Sequence, residues 1–332
     1  MTSVDNDDSI LRNLDGGVQP HSLRDVLQLE NDEQDEENQV INIIKHSPYV
    51  DDVYQLLESK ENCFTVLSSN IDSVRAKFDE LTCTAFVVEL RQKGFEFIAI
   101  CLQECHITDS SDISLIHLEN YNCLVQSSTC GKKGGLIIYL HEKYNHTLRT
   151  DIFKNTPFWE GQFIDIPGDR LTKNITIGNI YRPPRNLSDT LAEFHEEMKK
   201  TLTCLSKINN EILITGDFNI NLLQVHEKNI FNDFFENMVS NSFIPMITLP
   251  TRFSNKSGTL IDNIFCRISD FTLQSTSGIL TKKISDHQPY FMCLNTILSN
   301  KQNPKFIKCK INSQDSVKKY FRNLSLWTSQ IN

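Results

Sequence analysis

The sequence predicts an α/β fold in which β-sheets pack on one another with helices outside. Short apolar, β-branched runs recur through the middle of the 332-residue chain, a few helical patterns lie between them, and no glycine-rich nucleotide motif is present. In chain order the predicted strands are CFTVLSS, FEFIAICLQ, GGLIIYLH, GQFIDI, NITIGNIY, EILITGD, GTLIDNIF, FTLQSTSG and PYFMCLNT. Such runs fit a pleated, buried surface and are bounded by turn-forming residues. The predicted helices are DSVRAKFDELTCTAFVVELRQKG, SDTLAEFHEEMKKTLTCLSKI and HEKNIFNDFFENMVSN. The first two open on Asp or Ser as caps, and the first runs into Gly94 as its stop. With neither GxGxxG nor GxxxxGKS/T, dinucleotide and P-loop chemistry are not indicated.

Composition divides the chain into three. Residues 1–60 hold 14 acids against 4 bases, with NDEQDEEN (Asn31 to Asn38) at their centre, and read as an acidic, flexible arm. A short helix, DDVYQLLESK, leads from the arm into the domain. Residues 61–298 carry the alternating strands and helices of a folded domain. Residues 299–332, with 7 bases and 1 acid, read as a basic linker-like tail. The overall net charge of −9 disfavours a module that grips phosphates by charge alone. It does not disfavour an enzyme that holds a metal in a carboxylate cluster, because the cation supplies the positive charge.

The 10 cysteines form no CxxC pair and have no histidine partner at zinc-finger spacing, so reduced, buried thiols are expected. No apolar run approaches the roughly 18–20 residues needed to span a bilayer. The acidic start of the chain is unlike a secretory signal. An intracellular protein, nuclear or cytoplasmic and without a membrane partner, is the reading that follows.

Chemistry-bearing residues collect where strands end. EILITGDFN puts Asp217 and Asn219 just past Gly216. A plain Gly-Asp turn would explain that feature alone, but the pattern recurs. FEFIAICLQE ends on Glu104, and FTVLSSNID ends on Asn70 and Asp72 with a helix following. GTLIDNIF sets Asp262 among apolar residues, where a carboxylate needs a partner. ISDHQPYF offers Asp286 and His287 just before the last strand. Each has a bland reading as a surface residue, a cap or a structural acceptor, and a lone histidine is more often structural than catalytic. Five carboxylates, two asparagines and a histidine converging on one rim fit a site for a hard cation, Mg²⁺ or Mn²⁺, because the expected ligands are oxygens.

SSNID, LQE, NIYRPP, GDFN, LIDNIF and SDH occur in the order and rough spacing of the endonuclease/exonuclease/phosphatase superfamily, which residues 60 to 298 resemble. Within it, KFDEL after SSNID, the YRPP run and TLPTRFSNKSGTLIDNIF resemble the endonuclease domain of non-LTR retrotransposon proteins. The resemblance implies a four-layer α/β sandwich, two mixed sheets packed face to face and flanked by helices. It implies a metal-dependent DNA-nicking endonuclease. Glu104 would be the principal metal ligand, completed or supported by Asp72 and Asn70, with Asp286 a second metal-facing carboxylate. Asp217 would orient and deprotonate the attacking water, unless a metal-bound water serves as its own base. Asn219 would help bind the phosphate, and Tyr181 would hydrogen-bond one of its oxygens. His287 would contact the scissile phosphate, kept protonated by Asp262.

Proteins of that kind continue into a reverse transcriptase, a partner with no polymerase motif in this chain. Abasic endonucleases, deadenylases and lipid phosphoesterases share the motif skeleton and are the alternative within the superfamily. A silent remnant acting as an interaction fragment is the alternative outside it. Lys132–Lys133, Arg252, Lys256 and Lys282–Lys283 fall in predicted loops and are candidate contacts to a DNA backbone.

Overall fold

Alternation of side chains along the strands sets the layers. In Cys63–Asn70, Ala99–Gln103, Leu136–His141 and Tyr290–Asn295, every second residue faces one core and the others face a second. Val66, Ala99, Cys101, Ile138, Leu140, Tyr290 and Met292 belong to the core between the sheets. Leu67, Ile100, Leu102, Ile137, Tyr139 and Phe291 belong to an outer core beneath helices. A computed structural model describes residues 22–26, 46–54, 63–83, 87–108, 114–168, 173–184, 188–254, 257–268 and 275–295. The NDEQDEEN run, Lys256 and the basic tail lie outside these residues.

The strands are β1 (Tyr49–Val50), β2 (Cys63–Asn70), β3 (Ala99–Gln103), β4 (Tyr121–Gln126), β5 (Leu136–His141), β6 (Thr147–Leu148), β7 (Glu160–Ile166) and β8 (Ile175–Tyr181). They continue as β9 (Glu211–Asp217), β10 (Ile244–Pro245), β11 (Arg252–Phe253), β12 (Gly258–Thr259), β13 (Asp262–Arg267), β14 (Ser275–Leu280) and β15 (Tyr290–Asn295). One sheet runs β1-β14-β15-β2-β3-β5-β4 and the other β10-β13-β9-β8-β7-β6. Helices α1 (Leu23–Val26), α2 (Val74–Cys83), α3 (Val88–Gln92), α4 (Ser188–Leu205) and α5 (Asn229–Ser240) complete the fold. α2 and α3 contribute Leu81 and Leu90 to the outer core of the first sheet. α4 covers the second sheet with Leu191, Phe194, Met198, Leu202 and Leu205, and α5 with Phe234, Phe235, Met238 and Val239. Both helices thus present one apolar face at helical spacing. The result is a four-layer α/β sandwich of two mixed sheets between helices.

The two sheets are also joined by buried polar groups. Gln103 Nε2 on β3 donates to Asn179 Oδ1 on β8 at 2.6 Å, and Asn179 Nδ2 donates to the carbonyls of Leu102 and Ile137. The Tyr290 hydroxyl accepts from Ser68 and Thr215 and donates to the Gly216 carbonyl. Hydrogen bonds between buried polar groups of this kind fix the register of one layer on the other, and they lie beside the strand ends that carry Asn70 and Asp217.

Three local expectations change. The long first helix breaks into α2 and α3. At the end of α2 the Thr82 hydroxyl bonds back to the Phe78 carbonyl, and Val87 lies outside the helix before α3. GTLIDNIF divides into β12 and β13, because the loop after β9 takes the backbone groups between them: Leu222 N donates to Leu260 O, and Phe218 N to Ile261 O. The edge strand β4, YNCLVQ, has too weak an apolar alternation to be read from sequence. Two segments of the acidic arm pack on the domain. β1 pairs in parallel with β14, and Leu23, wholly buried, donates its N–H to Thr248 O. No disulfide links the described cysteines, and the thiols of Cys101, Cys105 and Cys266 are buried. No helix among the described residues is long and apolar enough to cross a membrane.

Candidate active site

Strand ends from both sheets meet at a cleft of about 770 Å³ whose lining includes Asn70, Asp72, Glu104, Tyr181, Asp217, Asn219, Asp286 and His287. Asp262 lies beneath that lining. β13 runs antiparallel to β9 and sets Asp262 directly opposite Asp217. The structure therefore brings together all nine residues singled out from sequence.

One side of the cleft is an aspartate–histidine pair. His287 Nδ1 lies 3.0 and 2.9 Å from the two oxygens of Asp262. Oδ2 of that carboxylate also accepts the Thr251 hydroxyl at 2.6 Å. A carboxylate only accepts when ionised, so the imidazole holds its proton on Nδ1. Burial opposes a charge on His287, but Asp262, by charge and hydrogen bond, outweighs it and raises the pKa to about 9. The pair is held to its neighbours as well: His287 N donates to Ser285 Oγ, which itself donates to the main-chain carbonyl of Asn70.

Asn70 ties the centre of the cleft together. Its Nδ2 donates to Glu104 Oε1 at 2.8 Å and to Asp217 Oδ2 at 2.9 Å, while its Oδ1 accepts from Asp72 N. The other Asp217 oxygen accepts the Asn219 N–H at 3.0 Å. Burial, and then the facing Asp262, raise the pKa of Asp217 out of the ordinary carboxylate range; His287 and Asn70 work against that rise. Tyr181 is buried beside the same carboxylates, with its hydroxyl bonded to Glu104, and burial followed by the charges of Glu104 and Asp217 raises its pKa.

Arg182, next in the chain and not singled out from sequence, clamps the GDFN turn. Its Nε and Nη2 donate to the carbonyls of Phe218 and Asn219, its N–H donates to Asp217 O, and Asn219 Nδ2 donates back to Arg182 O. Burial lowers its pKa to about 10, which leaves the guanidinium charged at neutral pH. Thr251, Ser285 and His106 are further groups that the sequence reading passed over. Ser285 sits inside the SDH motif and His106 two residues past Glu104 in QECH, so position beside a motif was the available signal. Thr251 sits inside the TLPTRF run and carried the same signal.

Two groups of ligand atoms among the described residues lie within 4.8 Å of one another: Asp72, Glu104 and His106, and Asp217, Asp262 and His287. In the second, Asp262 and His287 are already paired with each other. In the first, Asp72 and Glu104 line the cleft, and His106, 3.5 Å from Asp72 Oδ1, has a buried Nε2 that makes no hydrogen bond, so these residues fit a divalent cation. Asp286 belongs to neither group. Sequence placed it facing the metal; in the structure its Oδ2 is held by Arg252, 2.8 Å from Nε and 2.7 Å from Nη2. The guanidinium takes that one oxygen, so Asp286 also sets the place of Arg252 on the rim, while its Oδ1 lies 3.9 Å from His287 Nε2. Lys77, Lys133, Lys282 and Lys283 line the cleft with Arg252, so this face of an acidic chain carries bases at its mouth.

Residues 35–287 match the Endonuclease/Exonuclease/phosphatase family. The chain belongs to that family. Solved structures of the same fold include the AP endonuclease LMAP from Leishmania major, 12% identical with a TM-score of 0.57, over 81% of this chain and 98% of that one. The endonuclease domain of TRAS1, a telomere-specific non-LTR retrotransposon, is 11% identical with a TM-score of 0.52, over 70% of this chain and 99% of that one. A 3'-5' exonuclease from Neisseria meningitidis is 13% identical with a TM-score of 0.52, over 69% and 98%. At such identities these likenesses concern the fold of this family member.

Proposed function

We propose that this chain is a Mg²⁺- or Mn²⁺-dependent DNA endonuclease of the non-LTR retrotransposon kind. The observation that carries the reading is the cleft itself, where the Asp262–His287 pair and the Asp72–Glu104 group share one floor through Asn70, beneath a basic rim. Hydrolysis of a phosphodiester needs a water relieved of a proton, charge stabilisation on the phosphate oxygens, and a fixed line of attack. Asp217, ionised, takes the proton from water as the water oxygen bonds to phosphorus, and the P–O bond opposite breaks to release the sugar oxygen, which takes a proton from solvent. Asn70 and Asn219 N–H hold its two oxygens, so it meets the water in one orientation. His287, protonated and oriented by Asp262, donates from Nε2 to a phosphate oxygen, and the Tyr181 hydroxyl turns from Glu104 to donate to another. Glu104 and Asp72 would hold a divalent cation, which would supply Lewis-acid charge. The lysines and Arg252 at the mouth meet the flanking DNA phosphates. A reverse transcriptase domain outside this chain is the partner this reading implies.

The test is conversion of supercoiled plasmid to open circle with Mg²⁺, with EDTA, and with Asp217→Ala and His287→Ala beside wild type. Metal-dependent nicking lost in both variants is the expected result. Folded wild type that leaves plasmid intact overturns the DNA-nicking reading, and abasic DNA then becomes the next substrate to try.

A further inference from the structure

The group of carboxylates on the metal side of the cleft contains a nitrogen. His106 brings Nε2 to 3.5 Å from Asp72 Oδ1 and 3.9 Å from Glu104 Oε2. The backbone is built to put it there. After β3 the chain takes left-handed conformations at Glu104 (φ 49) and His106 (φ 56), with fully buried Cys105 between them. Cys105 N and His106 N donate to Gly135 O and Gly134 O, which pins the turn to the next loop. Asp72, also left-handed at φ 46, arrives from the crossing segment, fixed by the Ser73 N–H on Glu104 O. Left-handed backbone at three non-glycine residues is kept only where the surrounding structure holds it, and such residues cluster at functional sites.

The imidazole itself points to a ligand. Nε2 is buried and without a hydrogen bond, a state that native structures avoid unless something else satisfies the atom. Two donors on one small divalent ion, bonded at about 2.0–2.2 Å, lie about 3 Å apart at right angles and about 4.2 Å apart when opposite. The spacings of 3.5 and 3.9 Å fall between those limits.

We propose that His106 is a nitrogen ligand of the cation held by Asp72 and Glu104, and that it tunes this site to a first-row transition ion, Mn²⁺, over Mg²⁺. The inference rests on reading that group as the metal site and goes beyond it in naming a ligand and a selectivity. An all-oxygen site suits Mg²⁺; an imidazole shifts preference towards ions that accept nitrogen.

The experiment is Mn²⁺ binding to the full chain, followed by pulsed EPR and with no substrate present, in wild type, His106→Gln and Glu104→Gln, each checked for folding by its thermal transition. The proposal expects one bound Mn²⁺ in wild type showing modulation from a directly bound histidine nitrogen. In His106→Gln that modulation disappears and Mn²⁺ affinity falls about 10-fold or more, while Mg²⁺ affinity, read by competition, changes less than about 3-fold. Bound Mn²⁺ without nitrogen modulation in wild type, or modulation that persists in His106→Gln, overturns the role of His106 while leaving the metal site standing. Mn²⁺ binding that is absent from wild type, or unchanged in Glu104→Gln, overturns the metal site itself.

Discussion

Asp217 and Asp262 stand directly opposite each other on adjacent antiparallel strands, both buried, with 1% and 0% of their surface exposed. Two like charges so placed cannot share an apolar floor without help. The help comes from opposite directions: His287 takes Asp262, and Asn70 with the Asn219 N–H takes Asp217.

A bell-shaped pH profile follows from this arrangement. Activity needs Asp217 ionised and His287 protonated. The acid limb of kcat/KM should lie above the ordinary carboxylate range, because burial and Asp262 raise the pKa of Asp217. The alkaline limb should fall near pH 9, where His287 loses its proton. The same shift has a stability consequence. The pKa of His287 is higher folded than unfolded, so its contribution is fully present below the unfolded value, about 6.5, and is lost as pH rises through about 9. Initial nicking rates from pH 5 to 10 read the catalytic limbs, and a profile flat across pH 8 to 10 would remove His287 from the proton inventory.

Replacing Asp262 by Asn tests who holds the proton on His287. The amide keeps the shape but removes the charge and offers an NH₂ that competes with Thr251 and the imidazole. The alkaline limb should move to lower pH, and kcat should drop about 100-fold or more, by analogy with other aspartate–histidine pairs. Titration of the His287 ring by NMR in both proteins reads the pKa directly. An unchanged titration would show that Asp262 does not set it.

How much of this was open to reading depends on what each residue needed from its neighbours. Asp262 announced itself, since a carboxylate inside LIDNIF needs a partner, and motif order supplied His287. β9 and the Gly216–Asp217 break were equally plain, because an apolar run ending at glycine is a local signal. The Arg252 partner of Asp286 left no signal, being 34 positions away and arriving through the β11–β12 hairpin. His106 stood beside a motif, two residues past Glu104, but the left-handed turn and the approach of Asp72 that bring its Nε2 near the carboxylates leave no spacing in sequence. β1, separated by more than 200 positions from its pairing partner β14, has the same difficulty.

Glu160 holds a loop of the cleft by its main chain. Wholly buried at the start of β7, it accepts from Thr129 N at 2.5 Å, Cys130 N at 2.7 Å, Gly135 N at 2.7 Å and Ser128 Oγ at 2.9 Å. That loop carries Lys133 to the cleft lining. Glu160→Gln would turn one acceptor into a donor facing N–H groups and should cost about 2–3 kcal/mol of stability. Faster amide exchange at Thr129, Cys130 and Gly135, together with weaker DNA binding at low salt, is the expected signature. Unaltered exchange at those three amides would mean the loop is held by other contacts.

Gly216 is where the fold leaves no room for a side chain. It has φ +150, and a Cβ there would lie 1.8 Å from the carbonyl oxygen of Ile180 on the neighbouring strand. That oxygen belongs to backbone in the middle of a sheet, so it cannot swing aside as a side-chain tip could. The same glycine offers its own carbonyl to the Tyr290 hydroxyl that links the two sheets. Gly216→Ala must therefore part β8 from β9 just where Asp217 leaves the strand, and disturb Arg182 N on Asp217 O as it does so. The expected loss is about 3 kcal/mol or more in guanidinium unfolding, at the upper end of what overpacking costs. Because Asp217 is the next residue, nicking should fall further than the lost folded fraction explains when both are measured at a temperature where most of the variant is folded. A variant as stable as wild type would show that the two strands can open here at little cost, and the close approach of Gly216 to Ile180 would then have no part in placing Asp217.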